Sequence, residues 1–386
     1  NIAKSYEQLA ALAPAEGEKS LRKAHGILSG AVDLAQEIAD IRALSFALGN
    51  LGVLYQIGYR YEDALYLIRT ALRAAERAEA PELIYRWRWK EGQILWAQGR
   101  TGPAIASYRR AVDILEETRQ ETLSRYGSAE VYFRRAVAPV YRDLVKALLK
   151  ASELVQDREM SHRLLTDARG TVERFKAAEL RDYFRDECVA DLESRTTSPE
   201  SVSQQAAVVY PIILPDRLEL LVTLPDGLQR YSIPVKSTDI NAKVAEFRGE
   251  IQNPKSRNYL RPAQTLYEWL VSPYAKELAS QHIDTIVFVP DGPLRTIPMA
   301  AFHDGKKFLA QTYGLAVTPG LSLVDPKPLS QEDQNVLLAG LSEARHNLAA
   351  LPSVPAELEA LSKLYGVETL LNKNFTRSRI AVSYTH

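Results

Sequence analysis

Small residues return every forty positions through the first third of the chain. Gly52, Ala64 and Ala71 are matched by Gly92, Ala104 and Ala111, and Ala24 and Ala31 stand forty residues earlier. Within each copy the two alanines lie seven residues apart, two turns along one helical face. A fixed small residue there is what close helix–helix approach requires, because a larger side chain would hold the backbones apart. A turn follows the first helix of each copy, at Gly58 and at Gly99-Arg100. A helix–turn–helix unit repeated in register cannot bury its apolar face alone and must stack on its neighbours. The distribution of proline agrees. Of twenty prolines only Pro14, Pro81, Pro103 and Pro139 precede residue 190, and proline breaks helix interiors. Arg163–Leu192 carries Leu164, Leu165, Ala168, Val172, Phe175, Ala178 and Leu180 at helical spacing. It is expected to be a long amphipathic helix that closes the array.

Ser194–Gln205 is polar and has no aromatic residue, the composition of a linker. Beyond it the pattern alternates. Val208–Leu214 and Leu218–Leu224 are β-branched apolar runs, and Pro225-Asp226-Gly227 turns into a strand near Leu228–Val235. Val244, Phe247 and Ile251 mark a helix; Leu266, Tyr267, Trp269, Leu270, Tyr274 and Leu278 mark another, interrupted at Pro273. Thr285–Val289 suits a strand buried on both faces, ending in Pro290-Asp291-Gly292. Leu315–Thr318, Val336–Leu341 and Glu368–Leu371 are further strands, with a helix over Pro355–Tyr365 and another opening at Phe375-Thr376. The expected fold class is α plus α/β. An α-helical solenoid occupies 1–193, a linker 194–207, and an α/β domain with a mostly parallel sheet 208–386.

Leu51-Gly52, Tyr55, Ala64 and Ala71 resemble a tetratricopeptide repeat, with a period of forty in place of 34 and with Glu91 where the first copy has Leu51. The second half carries a closer likeness. Ile283–Leu323 (IDTIVFVPDGPLRTIPMAAFHDGKKFLAQTYGLAVTPGLSL) is similar to the signature of the CHAT domain, a caspase-like, HetF-associated family found with such repeats. Ala206–Val222 resembles that domain's opening hairpin and Ala178–Val189 the helix before it; LLAGLSE and LPSVPAELEAL continue the match. The resemblance implies a caspase-like α/β fold and a cysteine peptidase of the caspase–separase type. In such enzymes a Cys thiolate attacks the scissile carbonyl, a His governs the proton, and backbone amides hold the oxyanion. It places the His in a stretch like H-x-A-T-H-G and the Cys in a later stretch like S-A-C, both beyond Asn372–Phe375. No S-A-C occurs, and only Tyr384-Thr385-His386 echoes the His motif. About ten residues after Thr376 do not hold a helix and a return strand, so His386 is read as a tail. The α/β domain is thus expected to be incomplete and without catalytic residues.

The remaining candidates have structural readings. Cys188, the one cysteine, lies beside Asp186 and Glu187, which raise a thiol pKa, and shares a helical face with Phe184 and Leu192. It is read as a packed thiol. His303-Asp304 precedes a glycine and reads as a turn; His25, His162, His282 and His346 are scattered, so no metal or cofactor is expected. In Tyr85–Lys90 (YRWRWK), Trp87 or Trp89 is expected to pack between helices, with Arg86, Arg88 and Lys90 in water. With 48 basic and 48 acidic residues the charge is zero, which gives no case for nucleic acid or an anionic membrane. No apolar run reaches the length of a membrane span, and a cytoplasmic location is expected.

Stacked hairpins present a groove for a peptide or partner helix. Tyr55, Gln56, Tyr59, Arg60, Gln93 and Trp96, on or just after first helices, are the expected partner-binding residues. Two functions follow. One is the N-terminal part of a repeat-regulated cysteine peptidase; the other is a non-catalytic scaffold that binds a protein or peptide in the repeat groove. In either case Thr285–Val289 and Val336–Leu341 are expected to have unpaired edges, which recruit other chains. Residues 208–386 expressed alone should therefore aggregate while residues 1–190 stay soluble; a sharp, reversible, monomeric unfolding transition of 208–386 would contradict this.

Overall fold

A computed structural model describes residues 14–118, 137–184, 205–321, 336–345, 348–376 and 379–380. Its contacts divide the chain into two compact units, Asn1–Asp325 and Pro326–His386. Cys188, His386, and linker residues 194–204 lie outside the described residues.

The first unit begins with helices α1 (Pro14–Glu37), α2 (Ile41–Ile57), α3 (Tyr61–Arg77), α4 (Pro81–Ala97), α5 (Thr101–Glu117), α6 (Ala138–Leu154) and α7 (Arg158–Phe184). From α2 to α5 every helix has 17 residues. The same three-residue turn joins them. Its middle residue takes a left-handed φ: 54° at Ala39, 59° at Tyr59, 47° at Glu79 and 74° at Gly99. The next backbone N–H closes on the carbonyl five residues back, from Asp40, Arg60, Ala80 and Arg100 at 2.9–3.1 Å. The carbonyl of that same residue accepts from Leu44, Ala64, Ile84 and Ala104, opening the following helix. Two such helices with their turns make the forty-residue period.

The small residues are where helices touch. A Cβ on Gly52 would come within 2.9 Å of Ile68, and one on Gly92 within 2.5 Å of Tyr108, the equivalent contact in the next copy. Gly49 makes room for Trp87, whose ring atoms would lie 2.2–2.4 Å from an added Cβ. Trp87 is fully buried and donates Nε1–H to Ser45 Oγ at 3.0 Å, while Ser45 donates to the Ala71 carbonyl at 2.7 Å. Glu91 is buried as an ion cluster, with Arg69 Nε at 2.8 Å, Arg88 Nη1 at 3.2 Å and Ser107 Oγ at 3.2 Å. Two expectations are corrected. Ala31 is exposed, unlike its equivalents Ala71 and Ala111, because among the described residues no helix packs on that face of α1. Arg86, Arg88 and Lys90 are half-buried rather than in water: Arg86 lies over the Trp87 and Phe46 rings, and Arg88 pairs with Glu76 and Glu91.

A five-stranded sheet follows, from β1 (Ala206–Ile213), β2 (Leu218–Leu224), β3 (Gly227–Ile233), β4 (Thr285–Phe288) and β5 (Gly314–Val317), in the order β3-β2-β1-β4-β5. The first three form an antiparallel meander; β4 is parallel to both β1 and β5. Between β3 and β4 the chain forms α8 (Ser237–Gln252), α9 (Leu260–Leu270) and α10 (Ala275–Ser280), with a 3-10 turn at the expected break around Pro273. Alternation divides the strands between two cores. Ala207, Val209, Leu220, Val222, Ile286 and Phe288 pack with the α8–α10 helices. Val208, Tyr210, Leu221 and Val287 face the other way and join the core of the helical array. The expected unpaired edge at Thr285–Val289 is absent, because β4 has a partner on each side; the edge strands are β3 and β5, and β5 is mostly exposed. The apolar face that separation from the array would bare lies on β1, β2 and β4.

The second unit holds β6 (Leu338–Gly340) parallel to β7 (Thr369–Leu371), joined by α11 (Val354–Tyr365). Gly340 lets α11 approach: a Cβ there would sit 2.7 Å from Val354 and 2.9 Å from Leu358.

The glycine contacts predict opposite signs for one chemical change. Gly30 in α1 has nothing within 4 Å of an added Cβ, so Gly30→Ala should stabilise by up to about 1 kcal/mol through helix propensity. Gly49→Ala gains the same propensity but drives the Trp87 ring from its site, and should be net destabilising by about 1–2 kcal/mol. Thermal denaturation of the two variants checks this; equal shifts would contradict it.

Candidate functional site

Two places in the first unit gather polar and aromatic side chains: the faces of the first helices, and the junction of α7 with the sheet. The six expected partner-binding residues do not form one cluster. Tyr55 and Arg60 stand together, with the Arg60 guanidinium carbon 4.5 Å from the Tyr55 ring centroid and His25 Nε2 of α1 within 3.1 Å of the Tyr55 hydroxyl. Tyr59, in the turn, is 79% exposed and meets Tyr61 edge to face. Gln56 is half-buried, and its Oε1 has no hydrogen-bond partner among the described residues. Gln93 donates to Asp143 of α6 at 3.0 Å and Trp96 packs against the array core.

Sequence reasoning singled out Trp89 and Arg86 but not Arg42, Phe46, Asn50 and Asp143, with which the first helices face one another. Arg42 of α2 pairs with Glu82 of α4, and Arg86 lies 5.5 Å from the ring of Phe46 and donates to Asn50 Oδ1 at 3.3 Å. Trp89 Nε1 donates to Asp143 at 2.7 Å, so α4 and α6 meet through one carboxylate. Phe46 is 46% exposed, a large ring left at the surface beside a cation. The available signal was the period itself: 42, 46 and 50 fall at the same repeat positions as 82, 86 and 90.

α7 joins the array to the sheet. Arg174 donates to Asp113 and Glu116 of α5, Arg109 pairs with Asp167, and Phe175 packs on Tyr141. Toward the sheet, Arg169 Nη1 donates to Thr223 of β2 at 2.9 Å, and Glu173 accepts from the Leu321 amide at 3.1 Å. Lys176 Nζ donates to the Pro290 carbonyl at 2.8 Å and to Asp291 Oδ1 at 2.9 Å, and Glu179 pairs with Arg295. A second tie comes from β3: Arg230 reaches buried Glu219 as well as the Leu149 carbonyl and Glu153 at the end of α6. The contacts of Glu173, Lys176 and Glu179 hold the segments that leave the carboxyl ends of β4 and β5. In open α/β sheets, ligands bind beyond those strand ends.

The lysine at the junction is buried, with a side chain 2% exposed. Burial pushes the Lys176 ammonium below its usual range and outweighs the pull of Asp291. Burial also acts to raise Asp291, but Lys176, Arg142 and Arg295 overcome it and hold the carboxyl below its usual range. Asp291 is faced by three cations, whereas Lys176 has Arg295 working against it as well as Asp291 working for it. His303-Asp304 forms a turn. Asp304 Oδ1 accepts from the Lys306 and Lys307 amides at 2.7 and 2.6 Å, and these bonds lower its carboxyl. Among the described residues there is no group of three or more His, Cys, Asp or Glu that could hold a metal.

Residues 260–383 match the model of the CHAT domain family. No curated protein matches the chain. Among solved structures, TPR-like repeats of a kinesin light chain protein from Podosopora anserina are 11% identical, cover 50% of this chain and 91% of that one, and give a TM-score of 0.31. BtubC (BKLC) from P. vanneervenii is 18% identical over 49% of this chain and 84% of that one, with a TM-score of 0.26. The chain therefore joins TPR-like helical repeats, as its stacked hairpins show, to a CHAT domain in a mixed α and α/β architecture.

The junction pair makes a prediction with a definite sign. Asp291 has a folded pKa below its unfolded one, so its stabilisation is complete at neutral pH and is lost as pH falls below about 4. Asp291→Asn should cost about 3 kcal/mol near pH 7, since it strands a buried ammonium. The deficit should shrink toward pH 3. Adding Lys176→Met should restore at least half of it. Urea unfolding of the three proteins across pH measures this; additive losses would refute it.

Proposed function

We propose that this chain is the sensing and framing part of a repeat-regulated cysteine peptidase. The TPR-like array receives a protein or peptide partner, and α7 passes the consequence to the CHAT domain. What supports this reading above all is the double engagement of α7. One face is tied to α5 and α6, and the other holds the residues following β4 and β5 through Glu173, Lys176 and Glu179. A partner that changes the packing of α5 or α6 acts on those segments through one continuous helix. The partner surface comprises Tyr55, Gln56, Tyr59, Arg60, Gln93 and Trp96, extended by Phe46 and Arg86. No helix among the described residues is long and apolar enough to cross a membrane, and the proposed setting is the cytoplasm.

No residue of this chain is assigned as the nucleophile, because Cys188 is flanked by Asp186 and Glu187, the wrong electrostatic setting for a thiolate. The purified 386-residue chain should not turn over peptide substrates, and Cys188→Ala should change nothing. Turnover abolished by Cys188→Ala would overturn the assignment. Reading the source gene past the codon for His386 separates the peptidase from a non-catalytic scaffold: in-frame H-x-A-T-H-G and S-A-C stretches are expected, and a stop codon at that point would favour the scaffold.

A further inference from the structure

Away from the array and its junction with the sheet, one surface gathers charge of a single sign. The chain running from α8 into α9 carries Lys255, Arg257 and Arg261, and the turn after Phe302 carries Lys306 and Lys307; all five residues are exposed. Ring contacts bring the two segments together. Tyr259 stacks on Phe308, with centroids 6.4 Å apart and planes 25° apart, and His303 meets Phe308 edge to face at 4.9 Å. Arg257 and Arg261 thus flank one ring of the stack in the chain, and Lys306 and Lys307 directly precede the other. The three rings are half-buried, and Leu260 beside them is 39% exposed. The surface therefore has an apolar floor among its positive side chains.

These positive side chains are open. None of the five pairs with a carboxylate among the described residues. The acids of the same segments are engaged otherwise: Glu250 accepts from Ser256 Oγ, and Asp304 Oδ1 accepts from the Lys306 and Lys307 amides at 2.7 and 2.6 Å. Lys306 acts on the Asp304 carboxylate through space. Elsewhere in the first unit the arginines are matched, since Arg174, Arg217, Arg230 and Arg295 each meet two or more carboxylates. Like charges gathered at one surface raise its potential and draw in groups of opposite sign. The arrangement of the rings selects among polyanions. Single-stranded nucleic acid stacks its bases on open ring faces along a groove that tracks the phosphates. Here Tyr259 and Phe308 stack on each other, His303 packs against Phe308, and the positive side chains cluster about that one ring pair.

We propose that this surface docks an acidic segment of a protein partner. Its carboxylates are received by Arg257, Arg261, Lys306 and Lys307, and the side chains between them lie against Tyr259 and Leu260. Guanidinium groups match the fork of a carboxylate and take it with two parallel hydrogen bonds. The surface belongs to the α/β region and does not depend on the reading of the array as a partner-binding surface.

The test is a fluorescence-anisotropy titration of the full 386-residue chain with a labelled decapeptide of alternating Glu and Ser, against a control of alternating Gln and Ser. The acidic peptide should bind at least about tenfold more tightly and weaken as salt is raised. The double exchange Arg257→Glu with Lys307→Glu reverses one charge on each segment and should reduce binding about tenfold or more. Lys19→Glu with Lys23→Glu makes the same change of net charge at exposed positions of α1 and should leave the affinity within about twofold. All four residues are exposed, so both double variants should unfold at the midpoint of the parent chain. Equal affinity for the two peptides, no measurable binding, an affinity that does not fall with salt, full binding by the first double variant, or an equal loss in both would overturn the proposal. Tighter binding of a labelled oligothymidine strand than of the acidic peptide would overturn it too, and would assign the surface to nucleic acid.

Discussion

Everything in the first unit depends on the closeness with which its helices approach, and that closeness rests on two backbone facts. One is the absence of a side chain at Gly49, Gly52 and Gly92, which lets Trp87, Ile68 and Tyr108 enter the space beside a neighbouring backbone. The other is the left-handed residue in each turn, which reverses the chain in three residues and presents the next helix at the same angle. An L-residue in that conformation costs about 1–2 kcal/mol, yet Ala39, Tyr59 and Glu79 accept it. The packing that each turn permits outweighs the strain, as fully buried Ala64, Ala71, Ala104 and Ala111 attest.

Stacking in register leaves each copy free to vary at positions the packing does not dictate. Glu91 replaces Leu51, and the array holds it in the interior by surrounding it with Arg69, Arg88 and Ser107. His25 replaces Leu65 at the opposite extreme, where α1 packs on α2, and the space is left open. The same backbone thus supports a closed polar cluster in one copy and a cleft in another. A repeat array varies its side chains in this way without disturbing its frame.

Much of the architecture was legible because periodicity reports directly on which face of an element is buried. The spacing of Gly52, Ala64 and Ala71 marked the hairpins, Pro273 marked the helix break, and the β-branched apolar runs of β1 and β2 marked strands. Periodicity does not say which element supplies the cover. Thr285–Val289 was read correctly as a buried strand, but its neighbours β1 and β5 were not foreseen, since pairing across a sheet is a non-local choice. Arg169, Glu173, Lys176 and Glu179 fall between the apolar positions of an amphipathic helix, and they prove to be residues that grip the sheet and the segments after it. Polar residues at helical spacing read alike whether they meet water or a second polar surface. Arg86 reads as solvated for the same reason, and Phe46 gives no signal of its own, because the first helices meet along their length rather than at their turns.

α7 is a single helix of 27 residues, about 40 Å long at 1.5 Å per residue. Both the array and the sheet are built against it. The polar stretch after residue 193 reads as a boundary, and the side chains that radiate from α7 reach both the array before it and the sheet after it. A chimera made by cutting at the polar stretch would part the sheet from the helix that covers it and give that helix's charged grip nothing to hold. For exchange of modules between proteins, whether by recombination or by design, α7 travels with the sheet. The interchangeable piece is the run of hairpins before it, whose uniform turns accept insertion or loss of a whole forty-residue copy.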